Sequence, residues 1–420
     1  MSGAEATTEK MFGPRGGILH PYFSMQGEWT DNLYNINIDE QESFSTVTAA
    51  GLWYSIPRRD EVPVRFSINN SAVGGTRFSL DTGEDFERFQ AYLFGGADYT
   101  TYSNFSDLDY TSWRLEGLYQ QNFPAGFSIR VLDRFSGDRD YYDIGSFLPR
   151  DFTNQDGTTV VSSTPSLLRE YISNLASLAV LVEITKNLTG RFEYSNFLLD
   201  YDETENNWLD RTDDRYTGSL AWDFSPKTRF FFEYNLVQLS YDTDTAANGS
   251  SDFYYAGIRW KGSEKSSLTA RAGFQERLFD DGRSLSGFAT EMQMNYAVTE
   301  KTRLSFELYK AIEESNSFVN SGMDTIAAAF HYRQQFSYRF LGRMDFLYEK
   351  NDYERFTRES FNDSIAGRED MRFSFRPALE YTLRDWIMFD LAYLFENRDS
   401  NDNQYDFTTQ TLSLSMNVAF

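Results

Sequence analysis

The last ten residues of the chain alternate between apolar and polar side chains. From Thr411 to Phe420 the sequence reads TLSLSMNVAF, in which the even-numbered positions are apolar and the odd-numbered ones are small and mostly polar. Successive side chains of a β-strand point to opposite faces, so the segment predicts a strand with one wholly apolar face. A two-residue repeat does not fit a helix, in which one face recurs every 3.6 residues.

The same alternation recurs along almost the whole chain, with little helical periodicity. In 303–308 the apolar residues Leu304, Phe306 and Leu308 alternate with polar ones, and 291–298 follows the same rule. The longest apolar runs, such as 178–182, are far shorter than the ~18 residues that a membrane-spanning helix needs. The pattern therefore predicts an all-β protein.

Short connections alternate with long polar ones between the predicted strands. Segments 225–228 and 299–302 are short, whereas 201–214 and 351–369 are long and polar. This order is typical of outer-membrane barrels, which have short periplasmic turns and longer extracellular loops. We therefore predict a single transmembrane, antiparallel, up-and-down β-barrel over residues 17–420, with about 18 strands and a range of 16–20. An even strand number places both termini on the periplasmic side of the bacterial outer membrane.

Three segments fall outside the regular pattern. Residues 1–16 show no period and are interpreted as a loose N-terminal leader of the mature chain. The stretch 58–86 contains strand-like pieces, and it is predicted to be either a periplasmic excursion or an extra strand pair. Residues 139–168 are predicted to form a long external loop, which either folds inward to narrow the bore or stays at the surface.

Composition agrees with a barrel and excludes several other classes. The chain has a net charge of −24, yet 17 % of its residues are aromatic, as expected of a polar interior inside an aromatic-girdled wall. The acidic balance argues against nucleic-acid binding, since phosphate backbones are bound by basic surfaces. The sequence holds no cysteine and only His20 and His331, so we predict no metal site and no cofactor. No nucleophile has a convincing base partner, and we predict that the protein is not an enzyme.

In the predicted barrel, the polar face of each strand lines a water-filled lumen, and arginine recurs on that face. Acidic residues often follow on the same face. The predicted pore-lining residues are Arg130, Arg191, Glu193, Arg229, Glu233, Arg271, Arg303, Glu307, Arg343, Asp345, Arg372 and Arg376. Charged rings select ions in channels, but Arg–Glu pairs can also stiffen a wall and solvate its interior, and both interpretations stay open.

Several stretches near the two ends resemble a known family. They are His20-Pro-Tyr22 and Glu28-Trp-Thr-Asp-Asn32 near the start, then Asn397-Arg-Asp-Ser-Asn401 and Tyr405-Asp-Phe-Thr408 near the end. Together with the alternating last strand, they resemble a β-barrel porin family found among exopolysaccharide-synthesis and secretion operons of Gram-negative bacteria. The resemblance implies an outer-membrane channel that exports an exopolysaccharide as a passive conduit.

Two other functions are compatible with the predicted fold. One is a general or substrate-selective diffusion porin, and the other is a barrel sleeve around an electron-transfer conduit. The expected partners are outer-membrane lipid and lipopolysaccharide, the barrel-assembly machinery and, for the export function, a periplasmic polysaccharide-export protein. The terminal Phe420, which follows Val418 and Met416 on one face, is predicted to be the signal that the assembly machinery recognises.

Overall fold

Eighteen strands form the wall of the protein in the computed structural model. The structure describes residues 18–37, 39–57, 68–77, 88–140, 169–202, 204–243, 248–263, 265–315, 322–353 and 367–419. The strands are β1 (Leu19–Thr30), β2 (Ser43–Ile56), β3 (Phe89–Tyr102), β4 (Tyr110–Phe123), β5 (Phe127–Asp140), β6 (Arg169–Thr185), β7 (Leu188–Tyr201), β8 (Arg211–Ser225), β9 (Thr228–Tyr241), β10 (Gly249–Ser263), β11 (Ser266–Phe279), β12 (Ser284–Thr299), β13 (Thr302–Glu313), β14 (Met323–Gln335), β15 (Phe340–Asp352), β16 (Glu369–Arg384), β17 (Ile387–Ser400) and β18 (Phe407–Ala419).

The sheet closes on itself. Each strand pairs antiparallel with the next along the chain, and β1 pairs with β18 from Tyr22 opposite Ala419 to Thr30 opposite Thr411. Closure leaves no free strand edge, so every strand of the wall has two hydrogen-bonded neighbours. The predicted all-β, up-and-down barrel of about 18 strands is confirmed.

The two faces of the wall differ as the alternation predicts. Leu93, Phe232 and Phe274 point outward and are 58 %, 70 % and 67 % exposed, whereas the next residues along their strands, such as Tyr92 and Gln275, are buried. Exposed apolar side chains around a closed sheet suit contact with lipid, and the polar side chains on the opposite face avoid it. No described helix is long and apolar enough to cross a membrane.

The two ends of the barrel carry different connections. At what we call the short-turn end, even-numbered strands lead to the next strand through a few residues, such as 226–227 between β8 and β9. The opposite, long-loop end carries longer segments, such as 202–210 and 353–368. One connection at the short-turn end departs from this rule, because 57–88 joins β2 to β3. Its described central part, residues 68–77, is called the lumen segment below.

Some of the sequence predictions concern residues outside the described part of the chain. They are the leader 1–16, most of the loop 139–168 and the terminal Phe420. The inward-folding loop and the assembly signal therefore remain predictions.

Candidate functional site: the inner face of the barrel

The predicted pore-lining residues all lie on the inner face of the wall. Each occupies the same alternating set of positions as the buried residues of its strand, and the exposed apolar side chains occupy the other set. Arg130 and Glu193 lie on β5 and β7, while Arg372 and Arg376 lie on β16. The alternation thus fixes their direction, because a strand cannot place two successive side chains on one face.

Arginine–carboxylate pairs connect the strands across this inner face. Arg271 on β11 donates to Glu291 on β12, with an Nη2–Oε2 distance of 2.8 Å, and also to Glu233 on β9. Its guanidinium lies 4.5 Å from the ring centre of Tyr255. Because the guanidinium and both carboxylates are at least nine-tenths buried, removing one member leaves uncompensated charge in the wall.

Other predicted residues are also brought together in pairs. Arg130 and Arg191 share the carboxylate of Glu193. Arg343 pairs with Asp390 on β17. Four more contacts complete the set: Arg229 with Asp223, Arg372 with Glu396, Glu307 with Gln293, and Asp345 with His331. Most of these contacts join different strands of the wall.

Near the short-turn end, three arginines lie side by side. Arg303 on β13 is directly opposite Arg333 on β14, which is directly opposite Arg343 on β15. Arg303 is exposed, and it has no carboxylate partner among the described residues. Arg343 is compensated by Asp390, whereas Arg303 is exposed and adds positive potential at that mouth of the lumen.

The lumen segment lies inside the barrel, against the inner face of β7, β8, β9, β13 and β15. It begins from the short-turn end, where β2 stops and β3 starts, yet its contacts are with residues near the long-loop end. Glu313, for example, is the last residue of β13, and Arg211 is the first of β8.

Polar contacts from the wall hold the segment by its backbone. The amide of Gly74 donates to Asp213 Oδ2 at 2.8 Å, and Arg211 Nη2 donates to the carbonyl oxygen of Ala72 at 3.0 Å. Arg215 donates to the carbonyl oxygen of Val73 and to Thr76 Oγ1. Since backbone groups away from water need hydrogen-bond partners, these side chains replace the water that such a segment would otherwise bind.

Apolar contacts and one salt bridge complete the docking. Val73 packs with Val237, Leu239 and Phe253 in a buried cluster. Arg77 Nε lies 2.6 Å from Glu313 Oε1, and its Nη2 contacts the other oxygen of the same carboxylate. Its Nη1 lies 3.1 Å from Glu349 Oε2. The segment therefore fits one particular place on the wall.

Two glycines allow this close approach. Gly74 and Gly75 both have φ of +76°, a conformation in which residues with a Cβ are strained. A Cβ on Gly75 would lie 2.3 Å from the ring of Phe197, and one on Gly74 would lie 2.4 Å from Arg215. A side chain at Gly75 would require the Phe197 ring to move, and one at Gly74 would require the end of the Arg215 side chain to move.

A family model described as "Putative beta-barrel porin 2" matches residues 189–420, from the start of β7 to the end of the chain. This match covers more than half of the chain. The chain belongs to that porin family. With its closed barrel, the protein is thus an outer-membrane porin-like channel and not an enzyme.

Two solved structures of bacterial proteins are similar in shape over almost the whole chain. OccK2 (OpdF) of Pseudomonas aeruginosa, solved in complex with glucuronate, has a TM-score of 0.49 and 8 % identity, covering 96 % of this chain and 98 % of its own. OccAB4 of Acinetobacter baumannii has a TM-score of 0.43 and 10 % identity, covering 97 % and 99 %. No curated protein matches the sequence.

The sequence reasoning missed the residues that dock the lumen segment. Arg77, Glu313 and Glu349 were not among the predicted lining residues, and 68–77 was not placed inside the porin. Two features of the sequence mark this segment as unusual. The connection 57–88 is long at the end where the other turns are short, and it contains Gly74-Gly75 with Arg77 two residues later.

At the long-loop end, the carboxyl of Asp210 has a raised pKa. Asp210 lies just before β8, and burial raises its pKa to about 6, with the nearby carboxylates of Asp200 and Asp242 acting in the same direction. The amide of Tyr201 donates to Asp210 Oδ1 at 2.8 Å and partly opposes the rise. Within the described ranges, no group of histidine, aspartate and glutamate is arranged to hold a metal ion.

Proposed function

We propose that this porin is a selective diffusion channel for small hydrophilic solutes. The observation that carries the proposal is the inner face itself, where paired arginines and carboxylates line a closed barrel from β4 to β17. Such a lining keeps a water-filled lumen polar, and its charges act on whatever crosses it. Arg303, which is exposed, supplies positive potential at the short-turn mouth, which favours anions there.

The orientation is part of this proposal. We place the short-turn end and both termini in the periplasm and the long-loop end outside the cell, in keeping with the usual arrangement of bacterial barrels. In this orientation the arginine row faces the periplasm, and the lumen segment enters from the periplasmic side. A protease added to intact cells would then cut an epitope inserted in 353–368 but not one inserted at 226–227.

Purified porin in planar bilayers and vesicles tests the channel function. We expect discrete conductance steps, and swelling of vesicles in neutral and anionic monosaccharides, from a variant whose residues 68–77 are replaced by a flexible Gly-Ser linker. The variant is needed because the lumen segment occupies part of the bore. If correctly folded barrels of this variant pass neither ions nor sugars, the proposal is wrong.

Export of an exopolysaccharide is the second candidate. It is supported by the resemblance of the stretches around His20, Glu28, Asn397 and Tyr405, and a periplasmic polysaccharide-export protein would then dock at the short-turn end. A deletion strain distinguishes the two functions. Loss of surface polysaccharide with unchanged solute uptake supports export, whereas unchanged polysaccharide with slower uptake supports diffusion.

A further inference from the structure

The strongest unassigned feature is the place where Arg77 meets the wall. Tyr309 and Glu313 belong to β13 and Glu349 belongs to β15, so the three residues are part of the barrel itself. Arg77 belongs to the lumen segment, which is not part of the sheet. The contact is thus between a site on the wall and an occupant from elsewhere in the chain.

Each of the two carboxylates also accepts a hydrogen bond from a side chain of the wall. Tyr309 Oη donates to Glu313 Oε1 at 2.8 Å, and Asn351 Nδ2 donates to Glu349 Oε1 at 3.1 Å. Both glutamates are at most 1 % exposed. Because their hydrogen-bond partners lie on β13 and β15, the two carboxylates would keep this arrangement when the occupant leaves.

The geometry of the site matches a guanidinium group in three ways. Glu313 accepts from two nitrogens of Arg77 in the forked arrangement that a planar guanidinium allows. Glu349 accepts from a third nitrogen at 3.1 Å. The Arg77 Cζ lies 4.9 Å from the ring centre of Tyr309, within the range of a cation–π contact. An ammonium group cannot make the same fork, since it is a point charge.

We propose that Tyr309, Glu313 and Glu349 form a guanidinium-binding site in the wall of the channel, with Arg77 as its resident occupant. A solute that carries a guanidinium group competes with Arg77 for this site and favours the state in which the lumen segment has left the wall. This inference rests on the proposed channel function. It names the class of ligand that the channel recognises and the contact that keeps the segment in place.

Competition follows from the charges. When Arg77 leaves, two buried carboxylates lose their shared cation, which strongly opposes release of the segment. A guanidinium solute removes that penalty, and it binds only where the site is vacant. A ligand that binds one of two states shifts the equilibrium toward that state, by about a hundredfold at 100 times its dissociation constant.

Single-channel recording with methylguanidinium tests the site. We expect methylguanidinium chloride to raise the ratio of open to closed time of the wild-type channel by about a hundredfold at 100 times its dissociation constant. N-methylurea has the same shape without the charge, and tetramethylammonium has the charge without the donors; neither should have this effect. An equal response to tetramethylammonium, or no response to methylguanidinium, overturns the proposed site.

Variants separate the site from the rest of the channel. Arg77→Gln should be open without ligand, and Arg77→Lys should be intermediate because it keeps the charge but loses the fork. Glu313→Gln combined with Glu349→Gln should also be open and should not respond to methylguanidinium. Arg283→Gln is the control, since Arg283 pairs with Asp281 in the β11–β12 loop. If Arg77→Gln has the same ratio of open to closed time as the wild type, the proposal is contradicted.

Two checks distinguish a variant that fails to fold from a folded variant that fails to conduct. Each variant is first checked for the heat-dependent gel mobility of a folded barrel. The linker variant that lacks 68–77 then reports on the channel alone. If it conducts and methylguanidinium has no effect on the wild type, the guanidinium site is wrong while the channel stands. If it does not conduct, the proposed function fails.

Discussion

Arg77 and Glu313 form a forked salt bridge although they are 236 residues apart in the sequence. Arg77 lies on the connection between β2 and β3. Glu313 is the last residue of β13, which lies about halfway around the barrel from these two strands. The bridge fixes a segment that enters at one end of the barrel to residues at the opposite end. The bridge is therefore one of several contacts that hold the segment inside the barrel, together with those of Ala72, Val73 and Gly74.

Removal of Arg271 should strongly destabilise the barrel. Arg271→Met leaves the buried carboxylates of Glu233 and Glu291 without their shared cation, which we expect to lower the free energy of unfolding by about 3–5 kcal/mol. Denaturant unfolding of barrels folded into phospholipid vesicles measures the change. Adding Glu233→Gln and Glu291→Gln to the same variant should restore much of the loss, because it removes the two carboxylate charges that Arg271 compensated.

The exposed pair of Arg283 and Asp281 is the matched control for this measurement. Both side chains are about a third exposed, so Arg283→Gln should change the free energy of unfolding by no more than about 1 kcal/mol. Equal losses for the Arg271 and Arg283 variants would show that burial of the pair does not matter.

Gly75→Ala should dislodge the lumen segment. The new Cβ would meet the ring of Phe197 at 2.3 Å, and the backbone φ of +76° adds a strain of about 1–2 kcal/mol. We expect a higher open probability in bilayers without any ligand. Gly282 has a φ of +89°, and a Cβ added there would meet no atom within 4 Å. Gly282→Ala therefore tests the strain alone and should leave the conductance as in the wild type.

The wall of the barrel could be predicted from the sequence because one rule governs it. A two-residue period gives both the strand and the direction of each side chain, so Arg130, Glu193 and Arg372 could be placed on the inner face without coordinates. Their partners were harder to predict. Arg271 reaches past β10 to Glu233 on β9, and the stagger of strands around a closed barrel determines that contact.

The lumen segment could not be predicted in the same way. Residues 68–77 have no period, and their position depends on side chains from several strands that are far apart in the sequence, among them Asp213, Arg215 and Glu349. These contacts can form only after the barrel has closed, because closure brings the contributing strands together. The long connection and Gly74-Gly75 mark the segment as unusual, but neither feature tells on which side of the wall it lies.

Arg303→Glu should shift the ion selectivity of the channel toward cations. Arg303 is exposed at the short-turn mouth and has no carboxylate partner in the described part of the chain, so the change adds negative charge without breaking an ion pair. The reversal potential in a potassium chloride gradient measures the shift. It should be clear near 0.1 M salt and small near 1 M, where charges are screened within about 3 Å. A shift that is equal at both concentrations would contradict an electrostatic cause.

Asp210 should make the stability of the barrel depend on pH. Its pKa in the folded protein is about 6, above the ordinary value of 3.8, so the folded state binds more protons than the unfolded state between these values. The stabilisation is fully present below about pH 4 and is lost as the pH rises through 6. Asp210→Asn should remove this dependence while its side-chain oxygen still accepts from the Tyr201 amide. The Tm of the wild type minus the Tm of the variant, measured from pH 4 to 7, should decrease as the pH rises. A constant difference would contradict the prediction.

A disulfide between the lumen segment and the wall should hold the channel closed. Val73 and Val237 pack in one buried cluster, and the chain has no cysteine of its own, so Val73→Cys with Val237→Cys introduces a single pair. After mild oxidation we expect one crosslink by mass spectrometry and no opening by methylguanidinium, because the segment can no longer leave the wall. Reduction should restore the response. Val73→Cys alone controls for the loss of the valine, and it should respond equally under both conditions. Oxidised, crosslinked channels that open as readily as reduced ones would show that the bore conducts with the segment in place.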